Sequence, residues 1–161
     1  MGFDYSNSAS YFITICTAHR QKLFWTDAYD GSLSETGKIA DEEILALPDR
    51  FPLTEIDKYV IMPDHVHMII TLLGALPGTD KKTPNIANIV GAFKAKVTFR
   101  CTDGHDRPAV SIWQKSFYDH VIRNDKEYSD TWNYIDGNPR RIVGAGMTAP
   151  ESPMTVPETN E

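Results

Sequence analysis

The sequence predicts an α+β fold: a four-stranded antiparallel sheet in ferredoxin-like βαββαβ order, extended by an additional C-terminal helix. Three observations lead there. Runs rich in β-branched and aromatic residues fall at 11–17, 59–73 and 117–122, and the middle run is split by Pro63-Asp64, a tight-turn pair. Between these runs lie two segments whose apolar residues recur at helical spacing. A third such segment follows the last strand, from Asp125.

Each element has its own local signal. The first strand, 11–17, reads Tyr-Phe-Ile-Thr-Ile-Cys-Thr. Ser34 is placed to cap a helix whose apolar positions are Ala40, Ile44 and Leu47 and which Pro48 should end. Strands at 59–62 and 66–73 then form a hairpin around Pro63-Asp64. After Gly74, Pro77 and Gly78, Thr83 is expected to cap a second helix with Pro84 in its first turn and Ile86, Ile89, Val90, Phe93 and Val97 as its stripe. A loop over 102–109 precedes the fourth strand. Asp125 is the expected cap of a last helix over 125–136, with Tyr128, Trp132 and Ile135 as its apolar stripe. At about 100° per residue, Tyr134 falls off that stripe, leaving its phenol free to point elsewhere.

A chain of 161 residues can bury one good core but not two. Residues 1–143 are read as one domain, and 144–161, rich in Pro, Thr, Ser and Glu, as a disordered tail. The apolar run around 66–73 is far too short to cross a membrane, and the amino terminus lacks the pattern of a secretory signal, so a cytoplasmic protein without membrane contact is expected. Cys16 and Cys101 are the only cysteines, too few for a cysteine-based zinc site or a disulfide framework. Any metal must be held by nitrogen and oxygen. Half of the formal charge of −6 sits in Glu151, Glu158 and Glu161. Conversely, Lys81, Lys82, Lys94, Lys96 and Arg100 share a twenty-residue window without an acid. That window offers either a phosphate-binding surface or a merely solvated helix face.

The most specific stretch is Met62-Pro63-Asp64-His65-Val66-His67. Alternation along a strand puts His65 and His67 on one face and Val66 and Met68 on the other, so the imidazoles are either a pair of metal ligands or ordinary strand histidines. As an exposed site, the pair should contribute little to the core. Asp64 is expected to shape the turn, with a bond to an imidazole as the alternative. Trp113 and Trp132 read as core residues more readily than as base-stacking platforms. Tyr118 is a second tyrosine of interest in a strand, while His120 suits a structural hydrogen bond.

Taken in order, Met-Pro-Asp-His-Val-His, then Trp113-Gln114, then Tyr134-Ile135 followed by Asn138-Pro139, resembles the IS200-like single-tyrosine transposases with a His-hydrophobic-His motif, most closely their REP-associated branch. The resemblance spans roughly 10–143. It implies a metal-dependent single-strand DNA endonuclease and strand transferase that acts on hairpin-forming repetitive palindromes through a covalent 5′-phosphotyrosine. Tyr134 would be the nucleophile, His65 and His67 the ligands of Mg²⁺ or Mn²⁺, and Lys94, Lys96, Arg100, Lys81 and Lys82 DNA-binding. It also implies a third ligand four residues after the tyrosine, where Asn138 stands; Gly137 and Pro139 favour a helix end there, which Asn138 would cap instead. A monomer and a homodimer, with the tyrosine completing its own or its partner's site, are both open. Two other classes fit the same residues: a non-catalytic DNA-binding or repressor module of this fold, and a replication-initiator or relaxase-type nickase.

Overall fold

A computed structural model describes residues 8–74, 85–102 and 112–144. Four strands and three helices follow in the order β1 (Ala9–Cys16), α1 (Glu35–Arg50), β2 (Thr54–Met62), β3 (His65–Leu72), α2 (Ile86–Cys101), β4 (Tyr118–Ile122) and α3 (Asp125–Gly144), with a short 3-10 turn at Ala18–Arg20. The sheet order is β2-β3-β1-β4 and every neighbouring pair is antiparallel. This is the expected α+β arrangement.

Strand alternation sorts the sheet into two chemically different faces. Ile13 and Ile15 of β1 and Val66, Met68 and Ile70 of β3 point into the main core, where Ala40, Ile44 and Leu47 of α1 and Ile86, Ile89, Val90, Phe93 and Val97 of α2 cover them. Trp113 is buried in this core, and its indole N–H donates to the Lys94 carbonyl. Phe12 and Ile69 point the other way, into a second cluster with Tyr134 and Ile135 of α3. Thr14 and His67 alternate onto that same face. The candidate site therefore belongs to the α3 face of the sheet.

Several boundaries differ from the expectation, each for a local reason. β2 begins at Thr54 rather than at 59, because pairing with β3 continues past a bulge at Asp57. α1 runs through Pro48 to Arg50: a proline in the last turn forfeits one bond, and the Phe51 N–H still closes on the Leu47 carbonyl at 2.9 Å. Ser34 caps α1 as expected, accepting from the Gly37 N–H. The cap of α2 is Asn85, whose side-chain oxygen accepts from the Asn88 N–H at 2.7 Å. The expected cap Thr83, with Pro84, lies outside the described residues.

The largest difference concerns α3. Asn124, not Asp125, caps it, accepting from the Glu127 N–H at 2.8 Å. The helix passes Gly137 and Pro139 and reaches Gly144 instead of ending near 136. An interior proline costs a helix about 3 kcal/mol in isolation, so packing of the buried side has to hold it. That side is Thr131, Tyr134, Ile135 and Asn138, rotated from the expected stripe of Tyr128, Trp132 and Ile135. Trp132 is 36% exposed, with the Lys58 ammonium 4.9 Å from its ring centroid. The Tyr128 hydroxyl donates to Asp57 at the bulge, and Lys58 pairs with Asp136, so β2 anchors α3 from its start onward. The expected tail, 144–161, lies beyond the last described residue except for Gly144.

Candidate functional site

The two imidazoles stand side by side on β3, their ring centroids 4.6 Å apart. Strand pairing decides what each one meets. Thr14 lies opposite His67 in the register of β1 with β3, and its hydroxyl is 2.8 Å from Nδ1 of that ring. At the next position on the same face, Nδ1 of His65 lies 2.6 Å from an Asp64 carboxylate oxygen. The other carboxylate oxygen accepts from Arg20 at 3.1 Å, and the Asp64 carbonyl accepts from Thr17. Asp64 thus both shapes the turn and binds an imidazole. Arg20 and Thr14 were not among the sequence-derived candidates. Alternation along β1 puts Thr14 on one of two faces, but only the register with β3 reveals His67 as its neighbour.

In each ring Nδ1 is engaged, which leaves Nε2. For His67 that atom is buried and has no hydrogen-bond partner among the described residues. Burial foremost, then the neighbouring His65 and Arg20, holds the His67 pKa well below its ordinary value, so the ring stays neutral at physiological pH. The expectation of an exposed pair is wrong for His67, which is 1% exposed and stacked on Phe12 with centroids 5.2 Å apart. Burial pushes the Asp64 carboxyl up, yet its hydrogen bonds and charge interactions with His65 and Arg20 outweigh this and bring its pKa down to about 2.

Tyr134 arrives from α3. It is 6% exposed, its ring centroid lies 5.3 Å from that of His67, and it meets Phe12 edge-on. The phenol therefore does not stand off the helix's apolar side; the sheet face itself carries the histidines, and the packing side of α3 is what faces them. Tyr118 also lies edge-on to Phe12, from β4. α3 runs from the Asp57 end of the sheet, where Tyr128 docks, toward the His65 end. One turn beyond Tyr134, Asn138 is 7% exposed inside the helix rather than at its end, and its amide nitrogen has no partner among the described residues.

A divalent cation fits this donor set. A buried, neutral imidazole with an orphaned Nε2 and a second imidazole beside it are chemically suited to one, whereas the orphaned atom of Asn138 is its amide nitrogen, a donor, so that only its oxygen could join them. Among the described residues no three His, Cys, Asp or Glu side chains converge on a common point. An ion would rest on two imidazoles and oxygens from water or substrate, with the Asn138 amide oxygen as the one further protein donor expected from the sequence.

The basic window divides differently. The Lys94 ammonium donates to the carbonyls of Gln114 and Ser116, and its burial lowers its pKa. Arg100 joins α2 to α1 through Glu42 and Glu43, at 2.7 and 2.9 Å. Lys96 is exposed, 5.8 Å from the Phe99 ring centroid. All three belong to α2, on the sheet face opposite the histidines. Lys81 and Lys82 lie outside the described residues. His120 pairs with Glu127, the structural role expected of it. No described helix is long and apolar enough to cross a membrane.

No protein-family model matches the chain. It is 31% identical over 152 residues to an uncharacterised protein of Haemophilus influenzae, covering 85% of this chain and 83% of that one. A REP-associated tyrosine transposase of Escherichia coli is 27% identical over 135 residues, covering 84% of this chain and 68% of the relative. Among solved structures, a REP-associated tyrosine transposase bound to a REP hairpin superposes with a TM-score of 0.62 at 26% identity, covering 87% of this chain and 70% of the other. Fold, motif order and these relatives agree: the chain belongs to the IS200-like single-tyrosine transposases, in their REP-associated branch.

Proposed function

We propose that this protein is a metal-dependent single-strand DNA endonuclease and strand transferase acting on hairpin-forming, REP-like palindromes, with Tyr134 as nucleophile. The observation that carries the reading is the Tyr134 ring lying against His67, whose Nε2 is buried without a hydrogen-bond partner among the described residues. A structural histidine at such a position would ordinarily have both ring nitrogens satisfied. The hairpin substrate class comes from the relative solved with a REP hairpin.

In this reading the Tyr134 phenolic oxygen attacks phosphorus in line with the departing 3′ oxygen. The O–P bond to tyrosine forms, the bond to the 3′ oxygen breaks, and the strand is left with a free 3′ hydroxyl and a 5′-phosphotyrosine. The phenol's proton passes to water and the 3′ oxygen takes one up. Attack by a 3′ hydroxyl on the tyrosyl phosphate reverses the chemistry, so joining to a new end needs no ATP. Bound by His65, His67 and Asn138, Mg²⁺ or Mn²⁺ would supply Lewis-acid charge at the non-bridging phosphate oxygens. His67 is suited to that role because burial keeps it neutral. Phe12, packed against both rings, fixes their mutual orientation.

Incubation with end-labelled single-stranded hairpin DNA and Mn²⁺, followed by denaturing electrophoresis, tests the reading. A covalent protein–DNA band that vanishes in chelator supports it. Tight hairpin binding with no adduct under any divalent cation would instead identify a non-catalytic DNA-binding module.

A further inference from the structure

We propose that Thr14 and the Arg20–Asp64 pair are positioning residues that set the proton and the orientation of the two imidazoles, placing hydrogen on Nδ1 of each and leaving both Nε2 atoms as lone pairs. The inference deepens the proposed function by naming residues that prepare its ligands. It rests on a parallel between two rings held by different means. The His65 Nδ1 faces a carboxylate at 2.6 Å, and an ionised carboxylate only accepts, so this nitrogen carries the proton. The His67 Nδ1 faces the Thr14 hydroxyl at 2.8 Å. With its Nε2 buried and without a hydrogen-bond partner among the described residues, the hydrogen bond that His67 makes runs through Nδ1.

Arg20 acts at one remove. It and His19 before it adopt the left-handed backbone region, φ 54° and 56°, which side-chain-bearing residues rarely occupy. That turn brings the Arg20 guanidinium onto Asp64, while Thr17 holds the Asp64 carbonyl through its backbone N–H and its hydroxyl. The carboxylate is thereby held with Arg20 on one oxygen and His65 on the other. Groups behind a metal-binding histidine commonly govern its affinity 10- to 100-fold.

The test begins on metal-free protein. Long-range ¹H–¹⁵N correlation at neutral pH, assigned with His65→Gln and His67→Gln, reads which nitrogen of each ring is protonated. Nδ1–H is expected for both rings in the wild type. Thr14→Val should shift His67 toward Nε2–H and weaken Mn²⁺ binding by calorimetry about 10- to 100-fold, with Thr14→Ser restoring both. Asp64→Ala and Arg20→Gln should do the same at His65, Arg20→Gln more weakly. Thermal melts accompany each variant, and the tautomer is read only in those that remain folded. A wild-type Nε2–H tautomer at either ring, or a folded Thr14→Val with unchanged tautomer and affinity, would overturn the proposal. Nδ1–H tautomers in a wild type that binds no Mn²⁺ would leave the positioning intact and refute the metal reading alone.

Discussion

Tyr134 crosses His67 at an interplanar angle of 65°, with both rings nearly closed to solvent. Replacing tyrosine by phenylalanine keeps that packing, because the ring contributes the contacts with Phe12 and His67 and only the hydroxyl is lost. Tyr134→Phe should therefore fold and bind hairpin DNA like the wild type while forming no covalent adduct. Peptide mapping of the wild-type adduct separates Tyr134 from Tyr118 and Tyr128, which pack against the same cluster. An adduct on Tyr118, or cleavage by Tyr134→Phe, would move the nucleophile.

The histidines should not respond alike to truncation. His67→Ala removes a buried ring stacked on Phe12 and strips the Thr14 hydroxyl of a partner, costing about 2 to 4 kcal/mol. His65 is 15% exposed at its side chain, and His65→Ala should cost about 1 kcal/mol. Urea midpoints of the two variants measure the difference, and both should lose Mn²⁺ affinity. Equal stability would mean that His67 packs more loosely than its burial indicates.

The strand pattern around 59–73 made the hairpin and the shared face of His65 and His67 legible from sequence, since alternation is a local property. Tyr134 was identified through motif order together with its place off the expected apolar stripe, and the second argument fails because Tyr134 lies on the buried side of α3. The stripe of Tyr128, Trp132 and Ile135 presumes that aromatics face inward, whereas Trp132 lies under Lys58 at the surface and Thr131 turns in. Helix ends at Pro48, Gly137 and Pro139 were misjudged because tertiary packing overrides local propensity. The partners of the basic window were invisible for another reason. Arg100 finds Glu43 across 57 residues, a contact created by the pairing of α1 with α2.

That pairing makes stability depend on pH. Burial raises the Glu43 pKa, but hydrogen bonds from Arg100 and Arg50 outweigh it and set the carboxyl below its ordinary range in the folded protein. A depressed folded-state pKa means that the contribution is complete above the unfolded value of about 4.3 and fades as pH falls through the folded one. Glu43→Gln should cost about 2 kcal/mol at pH 7. In denaturant titrations from pH 7 downward, the gap between variant and wild type should stay constant to about pH 5 and then narrow. A gap that widens in acid would contradict the assignment.

Arg100 and Lys96 now make opposite predictions for DNA. Arg100 is engaged by Glu42 and Glu43, whereas Lys96 is exposed on the same helix. Each phosphate contact removed lowers the slope of log affinity against log salt by about 0.7 for a single strand and 0.9 for a duplex. If α2 meets the hairpin, Lys96→Ala should lower the slope by one such step. Arg100→Ala should leave the slope unchanged while loosening α1 from α2, seen as a lower melting temperature. Lys94→Ala should resemble Arg100→Ala, because its ammonium already serves the Gln114 and Ser116 carbonyls before β4. Fluorescence anisotropy with a labelled hairpin between 50 and 200 mM salt measures all three. Unchanged slopes throughout would place the DNA away from α2, leaving the α3 face and its Lys58–Trp132 surface as the region to scan next.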